Sequence, residues 1–277
     1  MPPAPPPRQT LRAGSPYLAA KVPEVTVVFW VIKVATTGMG EAAADSLGEF
    51  DVVLAVAVGL VALLALVGSL WWQLRAQDYR AVPYWSTVAM IAVFGTMVAD
   101  GPHAVLDLPY WTTSLLYAAA VAACLAVWWR TEGTLSVHSI TTRRREAFYW
   151  VTVLTTFALG TALGDLTAGV WHLGFFWSGV LFAVLIVAPA IGWARFGLQP
   201  VVAFWWAYVL TRPLGASFAD WAGKPHQLSG LGLGDAPVAL VLAVGIAGLV
   251  AWCALTRRDV QRPPSAAAGR AADAPVA

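Results

Sequence analysis

The chain has 277 residues, of which 59% are hydrophobic and only 12% charged, with a formal net charge of +2 and a mean hydropathy of +0.68. Soluble domains carry about 25% charged residues. Half that share, with 15 Trp and long apolar runs, excludes an ordinary soluble domain and points to a polytopic membrane protein.

Residues 1–20 are Pro-rich and polar and lack the apolar core of a signal peptide, so they read as a disordered tail. Eight apolar segments follow, at roughly 24–47, 51–74, 82–104, 109–130, 147–170, 173–195, 200–222 and 236–256. Each is long enough to cross a hydrocarbon core of about 30 Å as a helix. Residues 21–130 form a first half and 147–256 a second. Between them lies a basic linker, 131–146, and residues 257–277 read as a second disordered tail. With the N-terminus inside, the inner segments hold 14 of the 17 Lys and Arg residues. That asymmetry predicts a multi-pass protein with both termini cytoplasmic.

The first span reads FWVIKVATTGMGEAAAD, and its spacing recurs. Gly follows Trp by ten residues and Asp by fifteen in Trp30/Gly40/Asp45, Trp85/Gly95/Asp100, Trp150/Gly160/Asp165 and Trp205/Gly215/Asp220. An aromatic residue precedes each Trp: Phe29, Tyr84, Tyr149 and Phe204. Random placement would give well under one such triplet, so an internal repeat is present. Each repeat holds two spans, so consecutive repeats share one orientation. The predicted fold is all-α: eight transmembrane helices as four parallel helix-hairpin repeats in two pseudo-symmetric halves.

With these residues and KVPEVTVVFWVIK at its start, the chain resembles the bacterial membrane-anchored proteins built from four tandem copies of a repeat of unknown function. The resemblance covers about residues 21–256. It implies a bacterial inner-membrane location and a link to metal-ion handling, and it assigns no site residues.

At 100° per residue, Lys33, Glu41, Arg212, the repeat Gly and Asp residues and His103 fall on one side of helices 1, 3, 5 and 7. The even-numbered helices are nearly all apolar. Four polar-faced helices are therefore expected around an axis, with four apolar helices outside. The repeat Gly would permit close helix approach, and Pro213 should kink helix 7. The repeat Trp residues (Trp30, Trp85, Trp150, Trp205) read as packing anchors, or as an aromatic ring for a cation.

Asp45, Asp100, Asp165 and Asp220 should share one depth, either tying the repeats together or converging on a cation or proton. Glu41, Lys33 and Arg212 break the repeat symmetry, and charges inside a membrane point to function. They could also form one structural ion pair. Glu41, the four Asp residues and His103 are candidate metal ligands. His172 and His226 also lie near the outer turns. Oxygen and imidazole ligands suit Mn²⁺, Mg²⁺ or a proton better than Cu(I). Cys124 and Cys253 read as packing residues.

No phosphate loop, zinc-protease, esterase or nucleic-acid motif occurs. The expected function is a secondary transporter for a small cation, with a divalent metal such as manganese as a candidate. The alternative is a non-transporting scaffold or sensor whose polar belt is structural. No enzymatic activity and no cofactor are expected. The partners are the lipid bilayer and a small cation or proton, with no nucleic acid; the oligomeric state is left open.

Overall fold

A computed structural model describes residues 20–48 and 52–261. Among them there are eight long helices and no strands: α1 (Val27–Gly48), α2 (Val52–Arg75), α3 (Ala81–Leu106), α4 (Tyr110–Glu132), α5 (Arg143–Asp165), α6 (Gly174–Phe196), α7 (Pro200–Gly223) and α8 (Asp235–Thr256). A π-type turn, Leu166–Val170, extends α5. Seven of the eight are long and apolar enough to cross a membrane, which marks an integral membrane protein. The exception, α7, is long enough at 24 residues but is too polar, carrying Arg212 and Asp220.

Local chemistry sets the helix ends. Gly133 and Gly197 close α4 and α6 in the left-handed region, at φ 69° and 67°, where a residue without Cβ is unstrained. Helix α5 begins at Arg143, four residues before the expected boundary. Thr142 caps it by accepting the Arg145 N–H at 3.3 Å, and Glu146 favours the positive end of the helix. Pro213 lies within α7 without ending it.

The inner and outer layers separate as the helix faces predicted. Buried residues make up 61–67% of the spans in α1, α3 and α5, against 11–22% in α2, α4, α6 and α8. Helices α1, α3, α5 and α7 form a closed ring, each touching the next and α7 returning to α1. The outer helices do not pair as the sequence reading expected. Each outer helix touches the next inner helix more than its own hairpin partner: α2 packs chiefly on α3, α4 on α5, α6 on α7 and α8 on α1, with α8 also touching α7. The sequence repeat is an inner helix and the outer helix after it. The packing unit is an outer helix and the inner helix after that.

Two repeat positions hold the ring together. The aromatic residue before each Trp meets the Trp of the next inner helix: Phe29 with Trp85 at 5.7 Å, Tyr84 with Trp150 at 5.4 Å, Tyr149 with Trp205 at 6.3 Å and Phe204 with Trp30 at 5.7 Å. Each repeat Gly faces the residue seven after the next Trp. A Cβ on Gly40 would lie 2.6 Å from the Ala92 carbonyl carbon, on Gly160 2.3 Å from Arg212 Cγ, and on Gly215 2.0 Å from Thr37 Oγ1; on Gly95 it would meet Phe157 Cβ at 3.2 Å. Close approach at the inner helices therefore depends on glycine.

The basic end of the ring is closed by the two described chain ends. Lys21 Nζ donates to Glu146 Oε2 at 2.6 Å, and Gln73 Nε2 reaches Glu146 Oε1 at 3.0 Å. Residues 257–261, assigned by sequence to the tail, dock here. The Glu24 N–H donates to the Asp259 carbonyl at 2.7 Å, the Gln261 amide to the Val22 and Pro23 carbonyls at 3.2 Å, and Tyr79 Oη to Asp259 Oδ2. The rest of both expected tails, 1–19 and 262–277, lies outside the described residues.

Candidate functional site

Arg212 sits at the middle of the ring and is 1% exposed. One nitrogen, Nη2, shares its two N–H groups among three acceptors, Glu41 Oε2 at 2.5 Å, Thr161 Oγ1 at 2.7 Å and Thr96 Oγ1. The repeat explains this set of partners. Glu41, Thr96 and Thr161 each lie eleven residues after their repeat Trp, and the fourth such residue, Ala216, is small and buried. Arg212 thus reaches from α7 to the equivalent position on the other three inner helices. Arg212 and Glu41 compensate each other's removal from water, and the hydroxyls supply further acceptors.

Lys33 was the other unexplained charge. It is 1% exposed, and its ammonium has no hydrogen-bond partner among the described residues. It lies 4.1 Å from the Phe157 ring centroid and 4.4 Å from that of Tyr208, a cation–π arrangement. Arg212 faces the same Phe157 ring at 5.3 Å. Lys33 and Glu41 share α1 yet do not pair; each looks across to other helices.

One turn beyond Glu41 the aspartates gather. Ligand oxygens of Glu41, Asp45 and Asp220 all lie within 4.8 Å of one another. Asp100 and Asp165 are half-buried and interact electrostatically with Glu41 and Asp45, so all four repeat aspartates belong to one acidic end. Asp220 is 5% exposed, and its Oδ1 has no partner among the described residues. Three apolar grooves, of about 730, 490 and 650 Å³, lie between inner and outer helices, and none is lined by a carboxylate.

His103 does not join this group. Its Nδ1 meets the Leu108 carbonyl at 2.9 Å and its ring stacks on Tyr110 at 4.2 Å. His226 is likewise engaged with its own turn, at 2.8 Å from the Gly230 carbonyl. Sequence reasoning missed Lys224 and Asp235. Lys224 Nζ lies 2.7 Å from Asp45 Oδ2 and 2.9 Å from Asp235 Oδ2. Burial works against its charge, but the carboxylates of Asp45 and Asp235 outweigh that, and its pKa is raised above the usual lysine value. In the sequence it is a lone basic residue just beyond the seventh apolar segment. Thr96 and Thr161 were missed as well, although their spacing from Trp matches that of Glu41.

The family described as Repeat of Unknown Function (DUF347) matches residues 83–134, 148–198 and 203–259. Each match takes in one inner helix and the outer helix after it. No curated protein and no solved structure matches the chain.

Proposed function

This chain belongs to the Repeat of Unknown Function (DUF347) family, whose description assigns no activity, and we propose from its own residues that it is a secondary transporter for a small cation. The observation that carries this reading is the approach of Glu41, Asp45 and Asp220 within 4.8 Å at the end of a ring of four helices. Like charges at that spacing favour an intervening cation or proton. Hard carboxylate and hydroxyl oxygens favour a proton or a divalent ion such as Mn²⁺ over a soft metal. In this reading Trp30 to Asp45 begins a fourth copy of the repeat, all eight helices cross the bacterial inner membrane, and the excess of basic residues at the other end places the carboxylates outside and both termini in the cytoplasm.

Arg212 and Lys224 then act as resident counter-charges. A cation arriving at Asp45 and Asp220 weakens the hold of Lys224 on Asp45 and of Arg212 on Glu41. Protonation of the same carboxylates does the reverse work of releasing the cation. Arg212 stands on α7 and Lys224 directly follows its last residue, while both partner carboxylates stand on α1, so exchange of partners acts on the α1–α7 contact. Lys33, without a carboxylate, is a second internal charge, held against Phe157 and Tyr208.

The test is uptake or efflux of Mn²⁺ and of protons in cells and proteoliposomes, comparing the parent with Glu41→Gln, Asp165→Asn and Lys33→Ala. Each variant is expected to lose transport at normal expression. If all three match the parent, the site is wrong, and the scaffold reading, in which the polar belt only fixes helix register, takes its place.

A further inference from the structure

Lys224 is private to the last unit. It lies nineteen residues after its repeat Trp, where the other units carry Glu49, Ala104 and Gly169. Its backbone is fixed: the N–H donates to the Asp220 carbonyl at 2.8 Å and its carbonyl accepts from Gly232 at 2.9 Å. Gly230 passes so close that a Cβ there would sit 1.9 Å from the Lys224 carbonyl oxygen. The side chain is 22% exposed, as is Asp45 at 21%, whereas Asp235 is only 8% exposed. Asp235 has a second oxygen, Oδ1, that is buried and lacks a partner among the described residues. The ammonium, a compact charge with three donors on a flexible stem, therefore has an anchored base, a contact inside the acidic group and a spare acceptor beside it.

We propose that Lys224 is a tethered occupant of the cation site: its ammonium holds the place on Asp45 that a free cation takes, and Asp235 is where it withdraws when that cation binds. This rests on the cation-site reading above. Arg212 cannot play the same part, because it is 1% exposed and held by Glu41, Thr96 and Thr161 at once. Lys224 sits at the accessible end of the group, so it sets how strongly an entering cation must bind. A divalent ion, which takes several oxygen ligands, displaces a single ammonium more readily than a monovalent ion does. The tether thus acts as a filter on charge.

The experiment titrates Mn²⁺ and Na⁺ by calorimetry into the purified full chain in nanodiscs, for the parent, Lys224→Gln and Asp220→Asn. In parallel, labelling of Lys224 by acetic anhydride is read by mass spectrometry with and without saturating Mn²⁺. Lys224→Gln is expected to bind Mn²⁺ about tenfold more tightly, the effect of removing one competing ion pair, and to gain measurable Na⁺ binding. In the unaltered protein, Mn²⁺ is expected to raise Lys224 labelling, because the ammonium loses one of its two carboxylate partners. If Asp220→Asn weakens Mn²⁺ binding but Lys224 labelling stays flat on saturation, the tether is overturned and the cation site stands. If neither the parent nor Lys224→Gln binds Mn²⁺, the cation-site reading itself fails. The labelling arm needs no substitution, so a poorly folding variant cannot obscure the outcome.

Discussion

The ring of Phe204, near the start of α7, lies 5.7 Å from the ring of Trp30 in α1. Phe29 makes the same contact with Trp85, also at 5.7 Å. The contact from α7 back to α1 is therefore equivalent to that from α1 to α3, and the circle is closed without a covalent link. The described ends also meet, through Glu24 and Asp259 and through Gln261 and Val22.

A circular permutant follows from that closure. Joining the described ends near residues 20 and 261, and opening the chain between Gly133 and Thr134, where Gly133 is exposed, removes no ring contact. Domains with adjacent termini tolerate such changes at exposed loops. The permutant is expected to elute and melt like the parent in detergent. Aggregation of a permutant whose hydrogen bond from Trp205 to the Leu135 carbonyl is intact would show that the order of the repeats, and not the ring, holds the fold.

Removing one member of the buried pair leaves the other without compensation. Arg212→Met alone is expected to destabilise by about 3–5 kcal/mol, while Glu41→Met with Arg212→Met recovers much of that loss. Unfolding in mild detergent, run as a double-mutant cycle, measures the coupling. A double variant no better than Arg212→Met would mean that the hydroxyls of Thr96 and Thr161, not Glu41, carry the interaction.

The repeat glycines should rank by the space behind them. Gly40→Ala drives a methyl into the Ala92 backbone and Gly215→Ala into the Val34 carbonyl at 2.6 Å, whereas Gly95→Ala meets only Phe157 Cβ at 3.2 Å. Overpacking of this kind costs about 1–3 kcal/mol, so the first two should melt well below the parent and Gly95→Ala close to it. Equal losses at all three would show that helix approach is not the constraint.

Tyr84 and Tyr149 join their hydroxyls at the centre of the aromatic ring. Tyr149→Phe alone strands a buried hydroxyl on Tyr84, at about 1–3 kcal/mol, while Tyr84→Phe with Tyr149→Phe removes both and approaches neutrality. Thermal melts of the two singles and the double decide this. A double variant as unstable as the sum of the singles would mean that the hydroxyls serve other partners.

The bridge from Lys224 to Asp45 and Asp235 has a defined pH window. Its folded pKa is raised, so the stability it contributes is fully present below the ordinary lysine value of 10.5 and is lost as pH rises through the higher folded value. Melting curves of the parent and Lys224→Gln should stay parallel through the neutral range and converge only above it. Convergence near neutrality would show that Lys224 is not charged in the bridge.

The eight helices, the repeat and the inward face of α1, α3, α5 and α7 were all legible in the sequence, because they depend on local periodicity. A helix buries the stripe that its 100° spacing brings to one side, so Trp30, Gly40 and Asp45 announce their face without any partner in view. Hairpin pairing was misread for the complementary reason. A short turn brings two helices near each other in sequence, but the choice between α1 and α3 as the partner of α2 depends on which surfaces interlock.

The sequence by itself determined that Lys33, Glu41 and Arg212 are buried charges on inner helices, since an apolar segment carrying a charge must turn it inward. Only the tertiary structure decided their partners: Glu41 with Arg212 at 2.5 Å, Lys33 with two aromatic rings and Lys224 with Asp45 at 2.7 Å. Angle and depth along one helix restrict a side chain to a face and a layer. Its partner is fixed by rotation and offset between helices, which arise from glycine-permitted approach and aromatic packing over the whole ring.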